Sequence, residues 1–358
     1  MKNNKFLTKI TKGLPRRYRL FKAKCLSKIY HVFDRAIIDD SKRSIYQGKK
    51  KINLFSPVWG DYIEMFFDYI IPGFMQEGNI PRLVSEGYKV ELVIYTKKAE
   101  HKGQIEQRLS ALPQVTNCMS ISFVEYDMST VDKNDILVTA LIKHIGKCLD
   151  ENAISVQAMP DNFFGNKSLY HAIKMIEGKN NMCLGTSYAR MSREAIRQSQ
   201  EFNDLKEYKR TIENDELVDL LFSYGHHSFR SCFDDVSKNI SHAGIAIRQI
   251  DDNLYSVINN LPPVMVADFH KSDLQFFKSC RIINQWDRLW LRKLIKSNRY
   301  KASGSSDMTF FVDITSDQEK QTPLKDNLLY NDVFLEPKNR LLQNYLCNAF
   351  CFMWRRKR

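Results

Sequence analysis

A carboxylate follows the apolar run Ile154–Met159, in the sequence Met159-Pro160-Asp161-Asn162. A side chain in that position can hold a divalent cation or accept a hydrogen bond from a sugar hydroxyl. Mg²⁺ and Mn²⁺ prefer carboxylate oxygens, which they often share with phosphate oxygens, so Asp161 is a candidate metal ligand. An aspartate at this place can equally close a turn or cap the next helix. The sequence leaves both interpretations open.

An aromatic loop, Pro57-Val58-Trp59-Gly60-Asp61, follows a second apolar run at Lys51–Ser56. Trp59 could stack on a flat base or a sugar ring, and Gly60 permits a close approach of the backbone to a ligand. The alternative is that Trp59 is a core residue that caps a sheet. The loop has neither a GxGxxG nor a GxxxxGK[ST] pattern, which argues against a dinucleotide-binding turn and a phosphate loop of those types.

Two groups of histidines could take part in acid–base chemistry. His270 follows Asp268 at the end of the apolar run Val264–Phe269, and either side chain could act as a general base toward a substrate hydroxyl. A structural pair is the alternative for these two residues. His226 and His227 are adjacent, and because adjacent side chains rarely point at one centre, the sequence does not favour a metal pair there. One of them remains a candidate to bind substrate.

The elements that position these residues alternate between strand and helix. Four apolar runs predict strands, with helical patterns between them, at Lys51–Ser56, Lys89–Thr96, Ser120–Tyr126 and Ile154–Met159. This order predicts an α/β fold in which a mostly parallel sheet is flanked by helices. Ligands of such sheets bind at the carboxyl ends of the strands, so the two loops should share an edge. Later strands are predicted at 181–186, 264–269 and 310–314, and a C-terminal helix at 339–354.

The positive charge is concentrated at the amino-terminal end. Residues 1–50 carry a net charge of +12 out of +13 for the chain, and the last four residues add +4, so residues 51–354 have a net charge of −3. Duplex-binding proteins usually spread basic residues over a folded face. The apolar residues from Tyr18 to Phe33 recur at helical spacing among lysines and arginines, which favours a basic amphipathic arm that docks on a membrane. Packing on the domain and nucleic-acid binding are the alternatives.

These patterns divide the chain into an arm, a body and a tail. We predict a basic amphipathic arm at 1–50, an α/β catalytic body at 51–338, and a C-terminal helix with a basic tail at 339–358. Eight cysteines occur without CxxC pairs, which fits reduced thiols better than a disulfide framework. No run approaches the length of a membrane span or of a signal-peptide core. We therefore expect a cytoplasmic protein, peripheral on the inner face of the cell membrane.

Two stretches carry a resemblance to a known family: PVWGDYIEMFFDYIIPGFMQEGNIPRL, which begins at Pro57, and PDNFFGNKSLYHAIKMIEGKNNMCLGT, which begins at Pro160. Over residues 51–190 the chain resembles bacterial surface-polysaccharide glycosyltransferases, the lipopolysaccharide and capsule enzymes, of GT-A-like fold. The resemblance implies a nucleotide-sugar half at about 51–190 and an acceptor half at about 191–338. It also implies that Asp161 stands where this fold places its DxD aspartates.

The resemblance assigns roles to the residues singled out above. The resemblance implies that the loop Trp59, Gly60, Asp61 and Tyr62 meets the nucleotide, together with Asp161. The positions of Pro57, Asn162 and Arg190 make these residues further candidates to bind the nucleotide sugar. Asp268 and His270 are then the catalytic candidates, and His226 and His227 the acceptor-binding ones. Because Pro160-Asp161-Asn162 supplies one carboxylate rather than two, Mg²⁺ or Mn²⁺ at Asp161 is an expectation to test. Arg190 and Arg193 could instead neutralise a diphosphate, although each could simply be a solvated residue near a helix start.

The expected function is therefore sugar transfer from a nucleotide-sugar donor to a lipid-linked or lipopolysaccharide acceptor at the cytoplasmic membrane face. The expected partners are the donor, the acceptor and an anionic membrane surface, with no nucleic acid. The competing hypothesis is a nucleic-acid-binding or processing protein tethered by its basic arm. No RNP, KH or zinc-finger pattern supports that alternative.

Overall fold

The computed structural model describes residues 50–97, 99–126, 133–230, 232, 245–260, 262–280, 286–318 and 349–357. The predicted arm at 1–50 lies outside these residues except for Lys50, so its predicted helix is not tested. Among the described helices, none has the length and hydropathy needed to cross a membrane.

Seven strands form the central sheet, in the order β11-β6-β10-β4-β1-β2-β3. Their bounds are β1 Lys51–Pro57, β2 Lys89–Thr96, β3 Ser120–Glu125, β4 Ile154–Gln157, β6 Cys183–Gly185, β10 Val264–Ala267 and β11 Tyr300–Ala302. Strands β3, β2, β1 and β4 are mutually parallel. The four strands predicted between residues 51 and 159 are confirmed. Strands β1 and β2 are buried at nearly every position, as expected for strands covered on both faces, whereas β3, at the edge of the sheet, is partly exposed.

The helices of the described chain lie between these strands and after them. Their bounds are α1 Tyr62–Met65, α2 Ile71–Phe74, α3 Ile80–Ser85, α4 Ala99–Ser110, α5 Pro113–Cys118, α6 Lys133–Asp150, α7 Ser168–Ile176, α8 Arg193–Ile196, α9 Gln200–Lys206, α10 Asn214–Tyr224, α11 His227–Arg230, α12 Lys271–Cys280 and α13 Trp286–Lys296. A π-helical segment, Phe66–Ile70, joins α1 to α2. Pro72 has no N–H to donate to the preceding turn, which accounts for the local loss of regular α-helical bonding.

Helices cover both faces of the sheet. On one face, Ile52 and Leu54 of β1 belong to the main apolar core, together with Phe66, Leu83 and Ile173 from the helices that connect the strands. On the opposite face, the His144 ring of α6 packs against Phe55, with 5.1 Å between ring centroids. The predicted α/β architecture with a mostly parallel sheet between helices is therefore confirmed.

Two smaller sheets complete the described fold. One has the order β5-β12-β7, with β5 at Asn162–Phe164, β7 at Tyr188–Ser192 and β12 at Phe311–Thr315. The other has the order β13-β9-β8, with β8 at Ile245–Asp251, β9 at Leu254–Asn260 and β13 at Ala349–Arg355. The strand predicted at 310–314 is confirmed as β12, whereas β5, β7, β8 and β9 were not predicted.

The C-terminal helix predicted at 339–354 is wrong for residues 349–354. These residues belong to β13, which pairs antiparallel with β9. Phe352 and Trp354 are buried, and the Trp354 Nε1 donates a hydrogen bond to Ser187 Oγ at 2.7 Å. The run AFCFMW is apolar at almost every position, so it satisfies helical and strand periodicities equally. Pairing with β9 decides between them. Residues 339–348 lie outside the described chain.

The predicted division of the body into a nucleotide-sugar half and an acceptor half stays a prediction. Strands β10 and β11 follow residue 191, yet both join the sheet that begins with β1. Strand β10 runs antiparallel to its neighbours β4 and β6, so its carboxyl end lies at the opposite edge of the sheet from the carboxyl ends of β1 and β4.

A buried polar cluster joins α6 to the sheet. His144 Nδ1 lies 3.2 Å from Tyr95 Oη, and its Nε2 lies 3.0 Å from Ser155 Oγ. Burial lowers the pKa of His144 to about 3, with a smaller contribution from Lys147. The imidazole is therefore neutral in the folded protein at neutral and weakly acidic pH.

Because this imidazole is neutral in the folded state, we expect the protein to lose stability in weak acid. The unfolded state binds a proton on His144 near pH 6.5 and the folded state does not until about pH 3, so stability is present above pH 6.5 and is lost as pH falls. Between pH 6.5 and 4.5 we expect the free energy of unfolding to decrease by roughly 2–3 kcal/mol through this group. Urea unfolding at pH 6.5, 5.5 and 4.5 measures the slope.

The matched comparison is between two histidine substitutions. His144→Gln is expected to flatten the pH dependence, whereas His101→Gln, at a partly exposed position on α4, should leave it as in the original protein. An unchanged slope in a folded His144→Gln variant would contradict the assignment.

Candidate functional site

The carboxyl ends of β1 and β4 bring the two predicted loops to one edge of the sheet. These strands are parallel neighbours, with Ile52 opposite Ile154 and Phe55 opposite Gln157. Their ends are held by backbone hydrogen bonds, from Val58 N to Tyr95 O at 2.9 Å and from Ala158 N to Phe55 O at 3.0 Å. The aromatic loop and the Asp161 loop therefore start side by side, as the sequence predicted.

The tryptophan ring of the aromatic loop is too buried to stack on a base or a sugar ring. Trp59 is only 7 % exposed, and Lys97 Nζ lies 5.5 Å from its ring centroid. Pro57 is buried at the end of β1, Tyr62 is partly exposed, and Gly60 and Asp61 are exposed. Gly60 has φ +58°, and no atom lies within 4 Å of the Cβ that a side chain would add. The buried ring fits the interpretation of Trp59 as a cap on the sheet, and the exposed part of the loop is Gly60-Asp61.

Two carboxylates meet around one amide at this edge. Asn162 of β5 lies opposite Asp313 of β12, and its Nδ2 donates to Asp313 Oδ1 at 2.5 Å and to Asp161 Oδ1 at 3.3 Å. The Asp161 carbonyl accepts a hydrogen bond from Ile314 N at 2.7 Å, which fixes this loop against β12. Asp313 is the second carboxylate that the sequence around Asp161 does not supply.

One arginine lies beside this acidic pair, and a second follows it three residues later. Arg190 of β7 is the register partner of Asp313 on the other side of β12, and its Nε lies 3.8 Å from Asp313 Oδ2. Arg193 begins α8, with its Nε 3.8 Å from Glu194 Oε1. Neither Nε has a hydrogen-bond partner. Both Nε atoms are buried, and each side chain is 24 % exposed, so an anion could reach only the exposed part of each side chain.

The two adjacent histidines lie next to Arg190. His226 is fully buried, and its backbone N donates to Arg190 O at 3.0 Å. His227 is exposed, and the two rings lie 3.8 Å apart between centroids. His226 Nε2 lies 3.9 Å from Asp317 Oδ1. Burial lowers the pKa of His226, and His227 lowers it further. The rings thus converge with Asp317, contrary to the sequence-based expectation for adjacent histidines.

Asp268 and His270 lie at the opposite edge of the sheet, so the prediction that they share this site is wrong. Because β10 is antiparallel, its carboxyl end lies beside the amino ends of β4 and β6. Asp268 Oδ2 there accepts a hydrogen bond from Asn181 N at 2.8 Å, just before β6. His270 N donates to Asp273 Oδ2 at 2.9 Å. These contacts connect a loop at the amino edge, in agreement with the structural alternative.

The sequence analysis missed Asp313 and Asp317, which come from the far end of the described chain. One signal was present: Asp313 is a single charged residue inside the apolar strand Phe311–Thr315. Since a buried strand rarely carries an unpaired carboxylate, that position deserved a place among the candidates. Its neighbours could not be read from the sequence, because Asn162 and Arg190 are more than a hundred residues away.

Comparison with known proteins gives a remote structural likeness. No protein-family model and no curated protein sequence matches the chain. Among solved structures, the chain is similar to the mannosyltransferase PcManGT from Pyrobaculum calidifontis in complex with GDP-Man and Mn²⁺, at 10 % sequence identity and a TM-score of 0.37. The likeness covers 83 % of this chain and 68 % of that chain.

Proposed function

We propose that the chain is a glycosyltransferase that uses a nucleotide-sugar donor. The observation that carries this proposal is the cluster at the carboxyl edge, in which Asn162 holds Asp161 and Asp313 together while Arg190 lies across β12. A nucleotide sugar combines a diphosphate, which guanidinium groups and cations bind, with sugar hydroxyls, which carboxylates and amides bind. Both kinds of group lie close together in space at this edge of the sheet.

The donor atoms at this edge fit a divalent cation. Asp161 and Asp313 provide carboxylate oxygens that share one amide donor, and such hard oxygen ligands suit Mg²⁺ or Mn²⁺. A cation bound there would neutralise charge on a diphosphate. Asn162 orients both carboxylates, and its substitution would release them.

The arginines suit the charge that develops during sugar transfer. When an acceptor hydroxyl attacks the anomeric carbon, the bond to the donor phosphate breaks and negative charge accumulates on the leaving group. Arg190 and Arg193 can stabilise that charge by electrostatic attraction and hydrogen bonding. Binding both substrates at this edge would also hold them in position to react, which lowers the entropic part of the barrier.

A donor panel tests the proposed function. Purified full-length protein is incubated with individual nucleotide sugars and Mn²⁺, and release of the free nucleotide and the shift in melting temperature are measured. We expect one donor class to stabilise the protein and to be hydrolysed slowly without an acceptor. The Asp161→Ala variant should lose both responses. No response to any donor by the original protein would contradict the proposal.

We propose that the acceptor is lipid-linked and that the basic arm holds the enzyme at the cytoplasmic membrane face. Support comes from the sequence of residues 1–50, with fifteen Lys and Arg against three Asp. An anionic leaflet attracts a polybasic segment by roughly 1 kcal/mol per Lys or Arg near the surface. A soluble donor and a membrane-bound acceptor would then meet at the membrane surface.

Liposome flotation checks this docking. The full chain is expected to float with phosphatidylglycerol-containing vesicles at about 50 mM salt and to remain at the bottom at about 0.5 M salt, because salt screens exposed charges. Deleting residues 1–49 should abolish flotation, and neutral phosphatidylcholine vesicles serve as the control. Retention on RNA without any flotation would favour the nucleic-acid hypothesis instead.

A further inference from the structure

We propose that His226, His227 and Asp317 form a binding site for a divalent transition metal. Each residue offers one ligand atom, and the three atoms lie within 4.8 Å of one another. Imidazole and carboxylate are ligands that Zn²⁺ and neighbouring metals use in proteins. This inference stands apart from the proposed glycosyltransferase activity, because it rests on different side chains.

The strongest observation is the state of the His226 ring. The residue is fully buried, and its Nε2 has no hydrogen bond of regular geometry. The Ser316 backbone contributes only a weak hydrogen-bonding interaction with this histidine. A buried polar nitrogen without a partner costs free energy that a ligand would recover. This nitrogen faces Asp317, whose Oδ1 is 3.9 Å away, a separation too long for a hydrogen bond and suited to two atoms that share a metal.

The other nitrogen of His226 is positioned to support metal binding. Nδ1 lies 2.8 Å from Ser228 Oγ and accepts a hydrogen bond from Ser228 N at 3.3 Å, so in the metal-free neutral ring the proton is on Nε2. Metal binding at Nε2 requires the other tautomer, in which Nδ1–H donates to Ser228 Oγ and the hydrogen bond from Ser228 N is given up. Metal-bound histidines commonly donate their second N–H in this way, which fixes the orientation of the ring.

Asp317 is oriented by contacts that leave one carboxylate oxygen toward the histidines. Its Oδ2 accepts a hydrogen bond from Ser192 Oγ at 2.7 Å, and its backbone N donates to Glu194 Oε2 at 2.9 Å. Oδ1 is the oxygen nearer to His226 Nε2. Ser192 therefore holds Oδ2, and Oδ1 is the oxygen that the carboxylate offers to the proposed metal.

The geometry favours a three-ligand site with an open position. In a tetrahedral zinc site the ligand atoms lie about 3.3 Å apart, so the atoms, which now lie within 4.8 Å of one another, would have to approach by up to about 1.5 Å. His227 and Asp317 are exposed, which leaves a coordination position accessible to water or to a phosphate oxygen. Two imidazoles also favour Zn²⁺, Co²⁺ or Ni²⁺ over Mg²⁺.

This site is distinct from the carboxylate pair at Asp161 and Asp313. Asp317 follows Asp313 by four residues, about 13 Å if the chain is extended, and the ligands there are nitrogen-rich. A hard cation at the carboxylate pair and a softer one at the histidines can therefore be distinguished by competition.

The test uses the full chain, purified without a histidine tag and stripped with EDTA, and titrated with CoCl₂ in about 5 mM MgCl₂. We expect one Co²⁺ per chain with a visible absorption band, and Zn²⁺ should displace it. His227→Gln and Asp317→Asn should each weaken Co²⁺ binding at least tenfold. Both positions are exposed, so these variants should fold, which circular dichroism checks.

Two further variants make the result decisive. His171→Gln, on α7, removes a histidine outside the cluster and should bind Co²⁺ as the original protein does. Asp161→Asn should also keep this affinity, even if it abolishes donor turnover, so the two proposals can fail separately. The metal site is overturned if the original protein shows no stoichiometric binding, or if His227→Gln and Asp317→Asn bind Co²⁺ unchanged.

Discussion

Asparagine in place of Asp313 is expected to lower the turnover of the donor at least about a hundredfold, the usual cost of removing one preorganised electrostatic group. The substitution keeps the shape of the side chain but removes the charge that faces Asn162 Nδ2 and Arg190. It would also weaken any cation shared with Asp161. The measurement is nucleotide release from the donor identified in the panel, at saturating donor and Mn²⁺.

Two matched variants show whether the loss is specific to this edge. Asp150→Asn removes an exposed carboxylate at the end of α6, next to the amino end of β4. His270→Gln removes the base that the sequence analysis favoured. Both should keep turnover within about twofold of the original protein. If His270→Gln were inactive and Asp313→Asn active, the candidate site would have to move to the other edge.

Replacing Asp273 with alanine is expected to reduce the free energy of unfolding by about 3–5 kcal/mol, which is the typical cost of breaking a buried ion pair by removing one partner. Asp273 is fully buried, and Arg299 is 8 % exposed. The Asp273 carboxylate accepts from Arg299 Nη1 and Nη2, at 3.1 and 2.7 Å, and from Trp290 Nε1 at 3.1 Å. Burial alone would raise the pKa of Asp273, but the Arg299 guanidinium outweighs it and holds that pKa below its usual value.

Urea unfolding near pH 7 measures this effect. Asp252→Ala, at an exposed position in the turn between β8 and β9, is the control and should change stability by less than about 0.5 kcal/mol. Combining Asp273→Leu with Arg299→Met removes both charges and should recover part of the loss. A small effect of Asp273→Ala would mean that water or another group solvates Arg299.

The parallel half of the fold was predictable because each element there carries its own signal. Lys51–Pro57 and Lys89–Thr96 are long apolar strands, and a helical pattern between two such strands is typical of a parallel crossover connection. The direction of β10 was not predictable in the same way. The run Val264–Ala267 is apolar in either direction, and only its pairing with β4 and β6 makes it antiparallel. The misplacement of Asp268 and His270 follows directly from that ambiguity.

The site residues that directly follow a predicted strand could be identified from the sequence. Those that belong to a segment distant along the chain could not. Asp161 and Asn162 were identified from their position after β4, and Arg190 from its position near a strand. Their relation to Asp313 depends on β12 entering between β5 and β7, which no local pattern specifies. The approach of His226 to Asp317 likewise joins two segments that are distant along the chain.

Strand β12 also has a consequence for how the chain reaches its native state. It pairs with β5 and β7, segments that precede it by roughly 120 to 150 residues, so the small sheet cannot form until a long loop has closed. Contacts at such sequence separation slow folding. Until β12 arrives, β5 and β7 have open edges that can pair with other chains. Refolding at high protein concentration should therefore compete with aggregation through these edges, and a fragment that ends before β12 would keep them open permanently.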